Sequence, residues 1–109
     1  MRTEFTGMLP AAIDKLEQLM AGAVALDPQV VRGYDGGLDQ GSFFSWGCAA
    51  QITCSDMAKL RVKAEKLGIT WLADDGSVAY TNGLTIEDFQ TFRVNGNLEL
   101  MPEFARGEV

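Results

Sequence analysis

The sequence predicts an α+β fold: a mostly antiparallel β-sheet with two α-helices packed on one face. The expected order is α-β-β-α-β-β, a short helical turn, then β-β. Three observations carry this expectation. Residues 8–26 repeat apolar side chains at helical spacing. Phe44 to Cys54 alternates apolar residues with polar, glycine or small ones. Asp75-Gly76 lies between two further alternating runs, as a hairpin turn does. Strands that follow one another directly, with helices set apart from them, are the pattern of α+β architectures.

The first helix is expected over Met8 to Leu26. Leu9, Ile13, Leu16, Met20 and Ala23 form one apolar stripe, Thr6 is placed to cap it, and Pro10 suits its first turn. Asp27-Pro28 ends it, because the residue before proline avoids the right-handed α region. Gln29 to Tyr34 reads as a short strand. Gly33, Gly36, Gly37 and Gly41 then open a flexible connection into the long strand 44–54, which Gly47 is placed to interrupt with a bulge.

A second helix is expected from Ser55 to Leu67, with Ser55 as N-cap, Asp56 at the positive end of the dipole and Gly68 just past the end. Met57, Leu60, Ala64 and Leu67 form its buried stripe; Lys59, Lys63 and Lys66 form an exposed one. Ile69 to Tyr80 reads as a hairpin closed by a type I′ turn at Asp75-Gly76, which pairs Ala73 with Val78 and Trp71 with Tyr80. Thr85-Ile86-Glu87-Asp88 matches a capping box, so a short helical turn is expected at 85–90. Asn95-Gly96-Asn97 then closes a last hairpin that sets Val94 against Leu98 and Phe92 against Leu100. The whole chain, 1–109, is read as a single domain with loose termini at 1–6 and 103–109.

Apolar residues make up 47% of the 109 residues and charged ones 22%, which is ordinary for a globular domain and argues against wholesale disorder. The longest apolar stretch, Met20 to Leu26, falls far short of the roughly 20 residues of a membrane span, and no apolar segment of signal-peptide type follows Met1. A cytoplasmic protein without membrane contact is the expectation. The net charge is −6, which disfavours direct binding to nucleic acid. That charge is uneven. Residues 55–68 carry four basic and two acidic groups, whereas residues 69–109 carry two basic and seven acidic.

The sequence contains no histidine, so the commonest general base and metal ligand is missing. Cys48 and Cys54 lie six residues apart. On one continuous strand they would be roughly 20 Å from each other at about 3.3 Å per residue, too far for a disulfide. They read as buried structural thiols, with Cys54 the more open to reactivity because it precedes a helix N-terminus. The segment Gly33-Tyr34-Asp35-Gly36-Gly37-Leu38-Asp39-Gln40-Gly41 lacks the lysine and following helix of a phosphate cradle, and reads as a plain loop. Asp74-Asp75 and Glu87-Asp88 have local explanations in a turn and a first helical turn. No catalytic, cofactor-binding or metal-binding residue is assigned, and no cofactor is expected.

No family motif is matched residue by residue. Small size, acidity and missing catalytic groups favour a non-enzymatic protein-binding module acting by surface complementarity. Virus-encoded inhibitors of host defence complexes, anti-CRISPR proteins among them, share this general profile. The expected partner is a larger protein or complex with a basic, nucleic-acid-handling surface. Asp74, Asp75, Glu87, Asp88, Lys59, Lys63 and Lys66 are the candidate contact residues. The alternatives are a structural subunit of an assembly, which would form homo-oligomers, and a small histidine-free enzyme.

Overall fold

The computed structural model describes residues 3–35, 43–44 and 46–82. Within them lie two α-helices and a four-stranded antiparallel sheet, the α+β class expected. The expected helical turn at 85–90, the hairpin around Asn95-Gly96-Asn97, the residues Glu87 and Asp88, and the tail from Glu103 lie outside the described residues. So does most of the glycine-rich segment.

Helix α1 spans Pro10–Gly22, with Pro10 in the first turn, where its missing N–H costs nothing. Its start corrects the expected cap. The N-cap is Leu9, not Thr6, and no side chain caps it. Instead the Leu9 N–H donates to the Gly47 carbonyl at 2.8 Å, which ties the helix to the approach to the central strand. The helix is shorter than 8–26, since Val24–Leu26 forms a separate 3-10 turn. Asp27 then takes a left-handed φ of 52°, a conformation that aspartate tolerates better than most residues, and the chain leaves the helix before Pro28.

Strand β1 is Gln29–Arg32, β2 is Ala49–Thr53, β3 is Thr70–Trp71 and β4 is Ser77–Ala79. The sheet order is β1-β2-β4-β3, with every pairing antiparallel. Val30 opposes Ile52, and Ala50 opposes Val78. These four residues join Leu16, Leu19, Leu60 and Ala64 from the helices in one core, so both helices cover the same face of the sheet. Leu16, Leu19, Ile52 and Leu60 are completely buried, a gain of roughly 1.5–3 kcal/mol for each side chain.

The strand expected over 44–54 is half that length. Gly47 has φ +75°, a conformation that glycine alone adopts freely, and its N–H turns back to the Phe44 carbonyl. A simple alternation would put Phe44 and Trp46 on one face. The turn sends them apart: Trp46 is completely buried in the helix-side core, whereas Phe44 packs with Ala49 and Ala79 in a second, smaller cluster. The Arg32 guanidinium lies 3.9 Å from the centroid of the Phe44 ring.

Helix α2 spans Met57–Lys66, and its N-cap is Asp56 rather than Ser55: the Asp56 carboxylate accepts the Lys59 N–H at 3.1 Å. Gly68 follows with φ +78°, as a glycine beyond a helix end does. The β3–β4 hairpin is confirmed in kind but corrected in register. Trp71 opposes Val78 and Thr70 opposes Ala79, two residues off the expected pairing, so each residue keeps its face. A type I′ turn needs positive φ at both central residues. Gly76 has it, at +90°, and Asp75 does not. The connection is therefore a longer loop, closed by the Gly76 N–H donating to the Ala73 carbonyl at 3.2 Å and the Leu72 N–H donating to the Ser77 carbonyl at 2.8 Å. No described helix is long and apolar enough to cross a membrane.

Candidate partner-binding face

Of the candidate residues that the structure describes, the three lysines share one side of α2 and Asp74 lines a cleft beside that helix, whereas Asp75 lies on the hairpin turn against β2. Lys59, Lys63 and Lys66 recur at i, i+4 and i+7 and so share one side of the helix. With Asp56, Ala58 and Val62 they line a shallow depression of about 510 Å³. Val62 is 51% exposed there, an apolar side chain among cations. The Lys59 Nζ lies 3.9 Å from Asp56 Oδ2, while Lys63 and Lys66 form no ion pair with a described residue. Their place in the last turn complements the helix dipole, which is reason enough for lysine there. Arg61 stands apart from the stripe, its Nε donating to Glu65 Oε1 at 3.0 Å.

A second, smaller cleft of about 250 Å³ lies between α2 and the hairpin, lined by Met57, Ala58, Arg61, Trp71 and Asp74. Ala58 lines both depressions, so they adjoin across this one small residue. Trp71 is half-buried, and its indole Nε1–H donates to Asp74 Oδ1 at 3.4 Å.

Asp75 is bound tightly into its own turn. Its Oδ1 accepts the Ser77 N–H at 3.0 Å, and its carbonyl accepts the Gln51 side-chain amide at 3.1 Å. Hydrogen bonds from Ser77, side chain first and then backbone, hold the Asp75 carboxyl below its ordinary value of 3.8. Both aspartates are exposed. The turn is fastened to the sheet by the Ile52 N–H, which donates to the Gly76 carbonyl at 2.9 Å.

The two cysteines are free. Burial pushes the Cys48 thiol up to about 12, against the weaker opposite pull of a backbone hydrogen bond, so it stays protonated and unreactive. Cys54 is half-buried, with its sulfur 3.3 Å from the Asp56 carbonyl oxygen and 3.8 Å from the Met57 sulfur. Among the described residues, no three histidine, cysteine or acidic side chains are grouped so as to hold a metal ion.

From the sequence, Met57 belongs to the buried stripe of the second helix and Trp71 to the hairpin, and Ala58 has no role. Trp71 does pack against the core, yet it also walls the cleft. The spacing of Trp71 and Asp74, three residues apart around a loop, was the one available signal. No family model matches the chain, and the comparisons with curated proteins and with solved structures found no match either.

Proposed function

We propose that the chain is a non-enzymatic protein-binding module whose Asp74–Asp75 turn docks on the basic surface of a larger partner. One observation supports this most: the two exposed carboxylates sit on a turn already fixed by Trp71, Ser77, Gln51 and Ile52. A preorganised charged tip loses little conformational freedom on docking, so more of its electrostatic attraction survives as affinity. A surface shaped for nucleic acid supplies the complementary charge, and an acidic chain seated on it acts as a stoichiometric inhibitor. The test is capture from a lysate of the source organism with the native chain and with Asp74→Lys, compared at low and high salt. A partner held by the native chain, lost in the variant and weakened by salt is expected. Equal capture by both chains overturns the reading.

The lysine side of α2 favours a second reading, an assembly in which the acidic turn of one copy meets Lys63 and Lys66 of the next. Such a head-to-tail contact forms rings or filaments. Light scattering would then show salt-sensitive oligomers in the purified protein.

A further inference from the structure

We infer that the cleft between α2 and the β3–β4 hairpin is an arginine pocket, receiving one guanidinium side chain from the partner's basic surface against Trp71 and Asp74. The inference rests on the docking reading above and gives it an anchor.

Three features of the cleft select this occupant. At about 250 Å³ it lies below the size of pockets that take drug-sized ligands, and suits a single side chain. Its polar groups are a carboxylate and an indole, and tryptophan is the aromatic that best attracts a cation to its face. Two other aromatic rings of the described chain already carry a cation: Lys15 lies over Tyr80 and Arg32 over Phe44. Trp71, by contrast, carries no cation among the described residues: its indole N–H is engaged with Asp74, and the part of its ring not packed against the core walls the cleft.

Arg61 is the one cation in the lining and pairs with Glu65, and Asp74 forms no ion pair with a described residue. The indole N–H takes Asp74 Oδ1 and leaves Oδ2 to accept from an incoming guanidinium. Arginine fits better than lysine, because its planar group stacks on an aromatic face while donating at its edge. The Met57 and Ala58 side chains supply apolar wall for the methylene stem. Aromatic residues in such pockets commonly dominate the energy of an interface.

The test needs no partner. Nα-acetyl-arginine amide is titrated into the isotope-labelled full chain, and the two indole N–H resonances are followed by NMR. Trp46, completely buried, is the internal reference. A saturable shift of the Trp71 resonance alone is expected, with half-saturation on the order of 1–10 mM for so small a ligand. The uncharged citrulline analogue should cause no such shift. Asp74→Asn keeps an acceptor for the indole but loses the charge, and should weaken the response at least about fivefold. In Trp71→Leu, the backbone amides of Ala58 and Asp74 should no longer respond.

An equal response to citrulline, joint movement of both indoles, or no movement overturns the pocket. If the arginine amide leaves Trp71 unmoved while Asp74→Lys still abolishes capture, the docking reading stands without this anchor. If the cleft responds but capture ignores Asp74→Lys, the pocket exists and the docking reading fails.

Discussion

Gly76→Ala should be among the most damaging single-methyl changes available in this chain. Gly76 has φ +90°, and a Cβ placed there would collide with the Ile52 carbonyl oxygen. The left-handed conformation alone costs alanine roughly 1 kcal/mol. Relief of the collision also requires the turn to move away from β2, which breaks the bond from the Ile52 N–H to the Gly76 carbonyl. Ile52 is completely buried, so its N–H would be left without a partner, at about 1–3 kcal/mol. Together these give about 3 kcal/mol, or roughly 12 °C in Tm at about 4 °C per kcal/mol for a domain of this size. Thermal and urea unfolding followed by circular dichroism measure both. Gly22→Ala is the control. A Cβ at Gly22 would meet nothing within 4 Å and its φ is not positive, so helix propensity should stabilise the fold by roughly 0.5–1 kcal/mol. A Gly76→Ala protein melting within about 2 °C of the native chain would refute the close approach of the turn to β2, and with it the hairpin register.

Other expectations follow from the same contacts. Asp56→Ala should cost about 1 kcal/mol by urea unfolding, whereas Ser55→Ala should be nearly neutral, because the helix is capped by Asp56. Under native conditions at pH 8, iodoacetamide should leave Cys48 unmodified; intact mass before and after denaturation, with peptide mapping, checks this. The Asp75 carboxyl is lowered in the folded chain, so the unfolded chain binds the proton more tightly. Its contribution is complete above the ordinary value of 3.8 and is lost as pH falls through the lower folded value. Asp75→Asn should therefore flatten the decline in stability below about pH 4.

The elements that sequence foretold best are those where local pattern and tertiary burial agree. The stripe from Leu9 to Ala23 located α1, and Gly68 located the end of α2. Alternation misled where burial was real but strand geometry was not. Phe44, Trp46 and Cys48 are all buried, yet the left-handed Gly47 splits them between two clusters. The cap of α2 slipped by one residue because Ser55 and Asp56 both suit the role, and only the bond to the Lys59 N–H separates them. The hairpin register slipped by two because Asp75 uses its side chain on Ser77 and keeps an ordinary backbone conformation. That longer loop places Asp74 beside Trp71 and creates the cleft. Of the candidate contacts, Lys59, Lys66, Asp74 and Asp75 were legible as exposed charges and Lys63, which is half-buried, as a member of the same stripe, whereas the role of Ala58 between them depends on the packing of α2 against the hairpin.

Whether the hairpin tip carries the protein's binding is decided by quantitative capture with native and Asp74→Lys chains. A stoichiometric partner is expected, and its recovery by the native chain should fall as salt is raised. The variant, equally folded by circular dichroism, should recover at least about tenfold less, a loss of roughly 1.4 kcal/mol of binding energy or more. Recovery of the same partner in equal amount by both chains, at every salt concentration, would contradict it.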